Sequence, residues 1–166
     1  MRILAIDPGT TKSAFVIYKD DKVERFGILE NEEMLEVVKR YDFPDYCDHL
    51  AIEMIACYGM PAGATLFETC VWIGRFIEHW GGVAYTKIYR KDVKMHLCHS
   101  MRANDSNIRQ VIIDRYPATG GGKTPQVGIK SKPGPLFGIS TDIWSALAVA
   151  ITYTETKMSK VKSVGV

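Results

Sequence analysis

Three acidic residues far apart in the chain stand where carboxylates are costly unless they do chemistry. Asp7 closes the apolar run Arg2-Ile-Leu-Ala-Ile-Asp7, Glu53 lies near the end of His49-Leu-Ala-Ile-Glu53-Met-Ile, and Asp142 opens the last helical stretch. A carboxylate at the end of a buried strand needs a partner or a cation. Two such anions on neighbouring strands repel and resist joint ionisation. A hard divalent cation resolves that conflict, and an all-oxygen donor set suits Mg2+ or Mn2+. Taken singly, each acid is an ordinary cap or turn residue, and Asp142 is also a favourable charge at a helix start. The chemistry requires that the three converge.

The surrounding pattern says which elements would bring them together. Residues 2–7 read as a buried strand, and Pro8-Gly9-Thr10-Thr11 as a turn. Residues 13–18 and 22–29 read as a hairpin through Lys19-Asp20-Asp21. Asn31 is placed to cap a helix running to about Tyr41, with Glu32 and Glu33 in its first turn, followed by an acidic loop over 42–48. Residues 49–55 form the next strand, 61–80 a helix ended by Gly81-Gly82, and 83–88 another strand. Helices are expected over 91–99 and 106–116, then a long exposed loop over 119–138. Ser140 or Thr141 caps a final helix, and a basic tail from Lys157 to Val166 is expected to fray. The order predicts an α/β fold: a mixed five-stranded sheet, with a three-strand antiparallel start and then parallel strands, flanked by helices. A right-handed crossover sets the Glu53 strand beside the Asp7 strand.

The chain has 166 residues, 46% hydrophobic and 24% charged, which fits one globular domain over 1–156 followed by the tail 157–166. Disordered, coiled-coil and disulfide-stapled classes are excluded. No apolar run reaches the ~18 residues of a membrane span, and an acid seven residues in argues against a signal peptide. Cys47, Cys57, Cys70 and Cys98 are widely spaced and read as reduced thiols of a cytoplasmic-type compartment. Residues 1–82 carry 8 Lys and Arg against 14 Asp and Glu; residues 83–166 carry 13 against 5. That asymmetry points to an anionic partner for the second half.

Asp-Pro-Gly-Thr-Thr is also the kind of turn that cradles phosphate, and actin-like ATPases and sugar kinases open with a similar strand, turn and strand. That architecture needs two such domains, so the length speaks against it and no nucleotide cofactor is expected. Three segments together are more specific: ILAIDPGTTKSAFVIY (3–18), LAIEMIACYG (50–59) and ISTDIWSALAVAI (139–151). In these the chain resembles the RuvC-like Holliday junction resolvases of the RNase H/retroviral-integrase superfamily, particularly compact phage-type members, over about residues 1–155. The resemblance implies an RNase H-like fold and a cytoplasmic homodimer, from a bacterium or a phage-infected cell. It implies symmetric nicking of four-way DNA junctions with Mg2+ or Mn2+, two ions to a site. On that pattern Asp7, Glu53 and Asp142 are catalytic and ligate metal. The family usually places a further Asp three residues after Asp142; here the position is Ser145, a weaker ligand on the same helix face. Alternatives on this fold are an RNase H-like or pre-rRNA-type nuclease, or a junction-binding protein whose cleavage is impaired by Ser145.

DNA contacts are expected mainly with phosphates. Lys12 follows the first motif; Lys87, Arg90, Lys91 and Lys94 surround the end of the predicted strand over 83–88; Arg102, Arg109, Lys123, Lys130 and Lys132 follow. The resemblance also offers Tyr58 as an aromatic near unpaired junction bases, and the 61–80 helix, with Trp72, Phe76 and Trp80 among small residues, as part of a dimer interface. His96, Cys98 and His99 lack the second ligand pair of a zinc finger. Glu68 reads as a helix-face charge.

Overall fold

The structure, a computed structural model, describes residues 1–39, 47–57, 59, 61–81 and 84–163. Strands β1 (Arg2–Asp7), β2 (Lys12–Lys19), β3 (Lys22–Glu30), β4 (His49–Met54) and β5 (Tyr85–Tyr89) form one sheet in the order β3-β2-β1-β4-β5. β3, β2 and β1 pair antiparallel, and β1, β4 and β5 pair parallel, as the sequence pattern predicts. Asp20 and Asp21 both take positive φ (49° and 60°), the tight two-residue turn that matches strand twist.

Side-chain alternation divides the core in two. Leu4, Ile6, Leu50 and Ile52 face α1 (Asn31–Lys39) and α2 (Ala64–His79), packing on Met34, Leu35, Ile73 and Phe76. Ile3, Ala5, Ala14 and Ala51 face the other way, toward α5 (Ile143–Ser163), with α3 (Arg90–Cys98) and α4 (Asp105–Asp114) beside it. Small residues are frequent there: Ala146, Ala148 and Ala150 of α5 are fully buried in the cluster it forms with the sheet, α3 and α4. Small residues on both sides let the helix axis lie close to the strands.

The alternation also fixes the acids. Ile6 is level with Ile52 in the parallel pairing, so Asp7 and Glu53 are one step further along adjacent strands, on the α5 face. The turn after Asp7 is tied down by α1. Asn31 is not a side-chain cap; it is buried, its amide donates to the Gly9 carbonyl at 2.9 Å, and its carbonyl accepts from the Ser13 hydroxyl at 2.6 Å. The Gly9 N–H donates to the same hydroxyl at 3.2 Å.

Three expectations differ from the structure. The 119–138 segment is folded back on itself, with strands β6 (Gly128–Ile129) and β7 (Lys132–Pro133) and a fully buried Leu136. Gly120 N–H donates to the Pro125 carbonyl and Gly121 N–H to that of Lys132, so backbone contacts supply the order that a hydrophobic period does not. The final helix is capped by neither Ser140 nor Thr141: the Asp142 carbonyl accepts from Ala146 N–H, which makes Asp142 the cap position. α5 continues to Ser163, past the expected start of fraying at Lys157; residues 164–166 lie outside the described residues, as do the acidic loop over 42–46 and the expected starts and ends at Tyr41, Gly82 and Val83. Among the described residues no helix is long and apolar enough to cross a membrane.

Two glycines separate a positional constraint from mere propensity. A Cβ on Gly9 would sit 2.3 Å from the Lys12 carbonyl oxygen, whereas one on Gly74, exposed in α2, would meet nothing within 4 Å. Gly9→Ala is expected to cost about 1–3 kcal/mol by forcing the turn open, and Gly74→Ala to stabilise by about 0.5–1 kcal/mol. Urea unfolding of the two variants checks both signs.

Candidate active site

The site lies where β1 and β4 end beneath the start of α5. Asp7 and Glu53 are side by side there, and Asp142 and Ser145 come down from the helix. Electrostatic repulsion from Glu53 and Asp142 reaches Asp7, and Ser145 is within hydrogen-bonding reach of it. Glu53 is 8% exposed, and its Oε2 is buried without a hydrogen-bond partner. Burial, then the charges of Glu53 and Asp142, push the Asp7 carboxyl up from 3.8 to about 8. Burial raises Glu53 as well, against the pull of Arg90.

Arg90 differs from its expected place. It is not a cation on an open face but the first residue of α3, two-thirds or more buried, with its guanidinium among the acids. Nη1 lies 3.7 Å from Glu53 Oε2 and 3.5 Å from the Ser145 hydroxyl. Nη2 is paired with Asp105, the exposed first residue of α4. Burial alone would lower the Arg90 pKa; Glu53, Asp105 and Asp7 reverse that and raise it. No motif announced this arrangement. The one available signal was an Arg that starts a helix directly after β5, whose register places Ile88 level with Glu53.

The other expected contact residues lie on several elements. Lys12 begins β2 and is exposed, with its ammonium 3.0 Å from Glu30. Lys87 and Lys91 are exposed around the end of β5, the latter over the Tyr89 ring, and Lys94 is half-buried on α3. Arg102 is exposed between α3 and α4, while Lys130 and Lys132 are exposed on the β6–β7 hairpin. Arg109 lies over the Trp144 ring at 5.0 Å. Tyr58 lies outside the described residues. On α2, Phe76 and Trp80 are core and Trp72 is half-buried under Arg75; the exposed apolar residues are Phe67 and Val71, which the sequence reading did not single out. His96 is bonded to Glu155 at 2.5 Å.

No group of three or more His, Cys, Asp or Glu side chains is drawn up to hold a metal ion among the described residues. The donor chemistry nevertheless fits one. Glu53 Oε2 is buried with no hydrogen-bond donor, and burial together with the charges of Glu53 and Asp142 keeps on Asp7 a proton that a cation would displace.

No protein-family model matches the sequence, and no curated protein matches it significantly. Solved structures do. A Thermus thermophilus RuvC structure superposes with a TM-score of 0.63 at 16% identity, covering 96% of this chain and 97% of that one. T. thermophilus RuvC in complex with Holliday junction substrate gives 0.65 at 16% identity, covering 96% of each. The fold is RuvC-like. At that identity the likeness is one of fold, and the chemistry rests on the residues.

The raised Asp7 pKa has a sign that can be measured. Folded protein holds a proton on Asp7 that unfolded chain, with its ordinary carboxyl near 3.8, releases on the way up to about pH 8. Stability at this group is therefore full below the ordinary value and is lost as pH rises through the folded one. Without divalent cations, Asp7→Asn is expected to raise the melting temperature at pH 8.5 by at least about 3 °C, the shift of roughly 1 kcal/mol in a domain of this size. It should give no gain at pH 4. Thermal unfolding in chelator across pH 4–9 reads this.

Proposed function

We propose that the protein is a structure-selective DNA endonuclease that resolves four-way junctions with Mg2+ or Mn2+, acting as a homodimer of the compact phage-type kind. The observation that carries this reading is the meeting of Asp7 with Glu53 and Asp142 at one end of the sheet, with a buried Glu53 oxygen that lacks a hydrogen-bond donor. The likeness to a RuvC that was solved with Holliday junction substrate supports the choice of DNA and of junction.

Asp7, Glu53 and Asp142 would hold the metal, with Ser145 a neutral neighbour. When bound, the metal would supply a Lewis acid for the phosphoryl oxygens and lower the pKa of a water. The protein's own part is orientation. The β1–β4 register sets Asp7 against Glu53, and the α5 start brings Asp142 within electrostatic reach of Asp7. Water adds to phosphorus, the bond from phosphorus to the 3′ oxygen breaks, one water proton leaves to solvent, and the 3′ oxygen takes up another. The products are a 5′ phosphate and a 3′ hydroxyl. Lys12, Lys87, Lys91, Lys94, Arg102, Lys130 and Lys132 would meet phosphates on either side, and Tyr58 would stack near the branch point. Phe67 and Val71 on the outer face of α2 offer the apolar area for a second copy.

A labelled four-way junction with Mg2+, run beside linear duplex and an RNA–DNA hybrid, tests the reading. Paired, symmetric nicks in the junction are expected. Asp7→Asn should lower cleavage by more than the 10–100-fold that loss of a supporting partner costs, while binding persists. Equal cutting of the hybrid, or undiminished cutting by the variant, would refute the assignment.

Binding should also depend steeply on salt. Neutralising several phosphates loses about 10³-fold or more in affinity between 50 and 200 mM salt. A titration of the Asp7→Asn protein with junction DNA at several ionic strengths measures the slope; a flat one would remove the basic face from the account.

A further inference from the structure

One aromatic side chain of the 119–138 segment is held in water by its neighbours. Phe137 is 42% exposed, yet Leu136 before it is fully buried and Ile139 after it is 5% exposed. Its N–H donates to the Gly134 carbonyl at 3.1 Å, so the backbone beneath the ring is fixed. Gly138 takes a φ of +86°, and a Cβ there would come within 3.2 Å of the Phe26 ring. The Phe137–Gly138 turn is thus seated against β3. Phe26 and Ile28, two residues apart on one face of that edge strand, are themselves part-exposed. Single exposed apolar side chains are ordinary. Here three gather at one edge and form an apolar ledge.

The ledge is level with the carboxylates. Asp7 pairs with Ala14, and Ala14 with Ile28, so the three share one row and one face of the sheet. Two strand spacings put Ile28 about 10 Å from Asp7. A stacked DNA strand advances about 3.4 Å per nucleotide, so a base within about three nucleotides of a phosphate at Asp7 reaches the ledge. Cations border it. Lys12, paired with Glu30, ends the same face, and Lys123, Lys130 and Lys132 are exposed on the 119–138 segment. Aromatic surface bordered by positive charge is what holds unpaired bases. Tyr58 follows β4 in the chain, whereas β3 stands on the other side of β1 in the sheet.

We propose that this ledge takes an unstacked nucleobase of the strand being cut, with Phe137 as the stacking face. The inference deepens the nuclease reading, on which it rests, by naming the feature of the substrate that selects a junction. Phosphate contacts position a duplex without reading its bases. Drawing a base out of the stack costs least where pairing and stacking are already interrupted, as at a branch point.

Affinities of the full-length Asp7→Asn protein for a four-way junction and for linear duplex of the same sequence test the proposal. Adding Phe137→Ala should weaken junction binding about 5- to 150-fold, the range for losing one stacked base, and leave duplex binding within about twofold. Phe137→Trp should keep the junction affinity. Phe137→Leu, apolar but without a π face, should lose as much as alanine. A loss below about threefold with alanine, an equal loss on both DNAs, or full binding by the leucine protein would each overturn the proposal. A smaller sedimenting species of the alanine protein without DNA would assign the ledge to contact between copies instead. Should the alanine protein lack native circular dichroism, the comparison of leucine with tryptophan decides. Junction cutting by the wild type, with undiminished junction binding by the alanine protein, would remove the inference and leave the nuclease. A wild type that neither prefers nor cuts the junction would remove both.

Discussion

The constraint on which the rest depends is the burial of two carboxylates on adjacent parallel strands. Asp7 and Glu53 share one level of the sheet and one face, so neither can turn away from the other without breaking the alternation that buries Ile6 and Ile52. Isolated buried anions at that distance are not tolerated. The fold answers with protonation of Asp7 and with Arg90, and the answer is incomplete, since an oxygen of Glu53 still lacks a donor. On the proposed reading, a divalent cation fills that deficit.

The third element follows from packing. α5 must approach the sheet closely for Asp142 and Ser145 to reach the strand ends, and only small residues permit it. Ala5, Ala14 and Ala51 of the sheet and Ala146, Ala148 and Ala150 of α5 are all buried in the one cluster. Larger side chains at these positions would lift the helix start and separate Asp142 from its partners. The Gly9 turn works the same way from the other side, since Asn31 and Ser13 hold it against α1 and so stop the strand end from shifting.

Much of this was legible in the sequence because it depends on period and spacing. Apolar runs with an acid at the end mark β1 and β4, and a crossover between them is enough to pair Asp7 with Glu53. What escaped depends on contacts between segments. Asn31 looks like a cap because its type and position suit one, yet its partners are Gly9 and Ser13. The 119–138 segment looks like open loop because its order comes from backbone hydrogen bonds, which leave no hydrophobic pattern. Arg90 looks like one more surface cation in a basic stretch, and only the position of β5 next to β4 turns it inward. A charge count along the chain cannot separate a cation that meets solvent from one that meets a carboxylate.

A fold can match RuvC at 16% identity because the backbone and the charges of the site make separate demands on the sequence. The backbone requirement is geometric: strand ends level, helix close, turn closed. Many sequences meet it. The chemical requirement is a balance of charge, and here a fixed guanidinium, Arg90, stands among the carboxylates and is paired with Glu53 and Asp105. The cost is the desolvation of Arg90, which Glu53 and Asp105 offset in the free protein. A site arranged this way is partly organised before substrate or metal binds, and the energy that keeps it so comes from the ion pairs that hold α3 and α4 to the sheet.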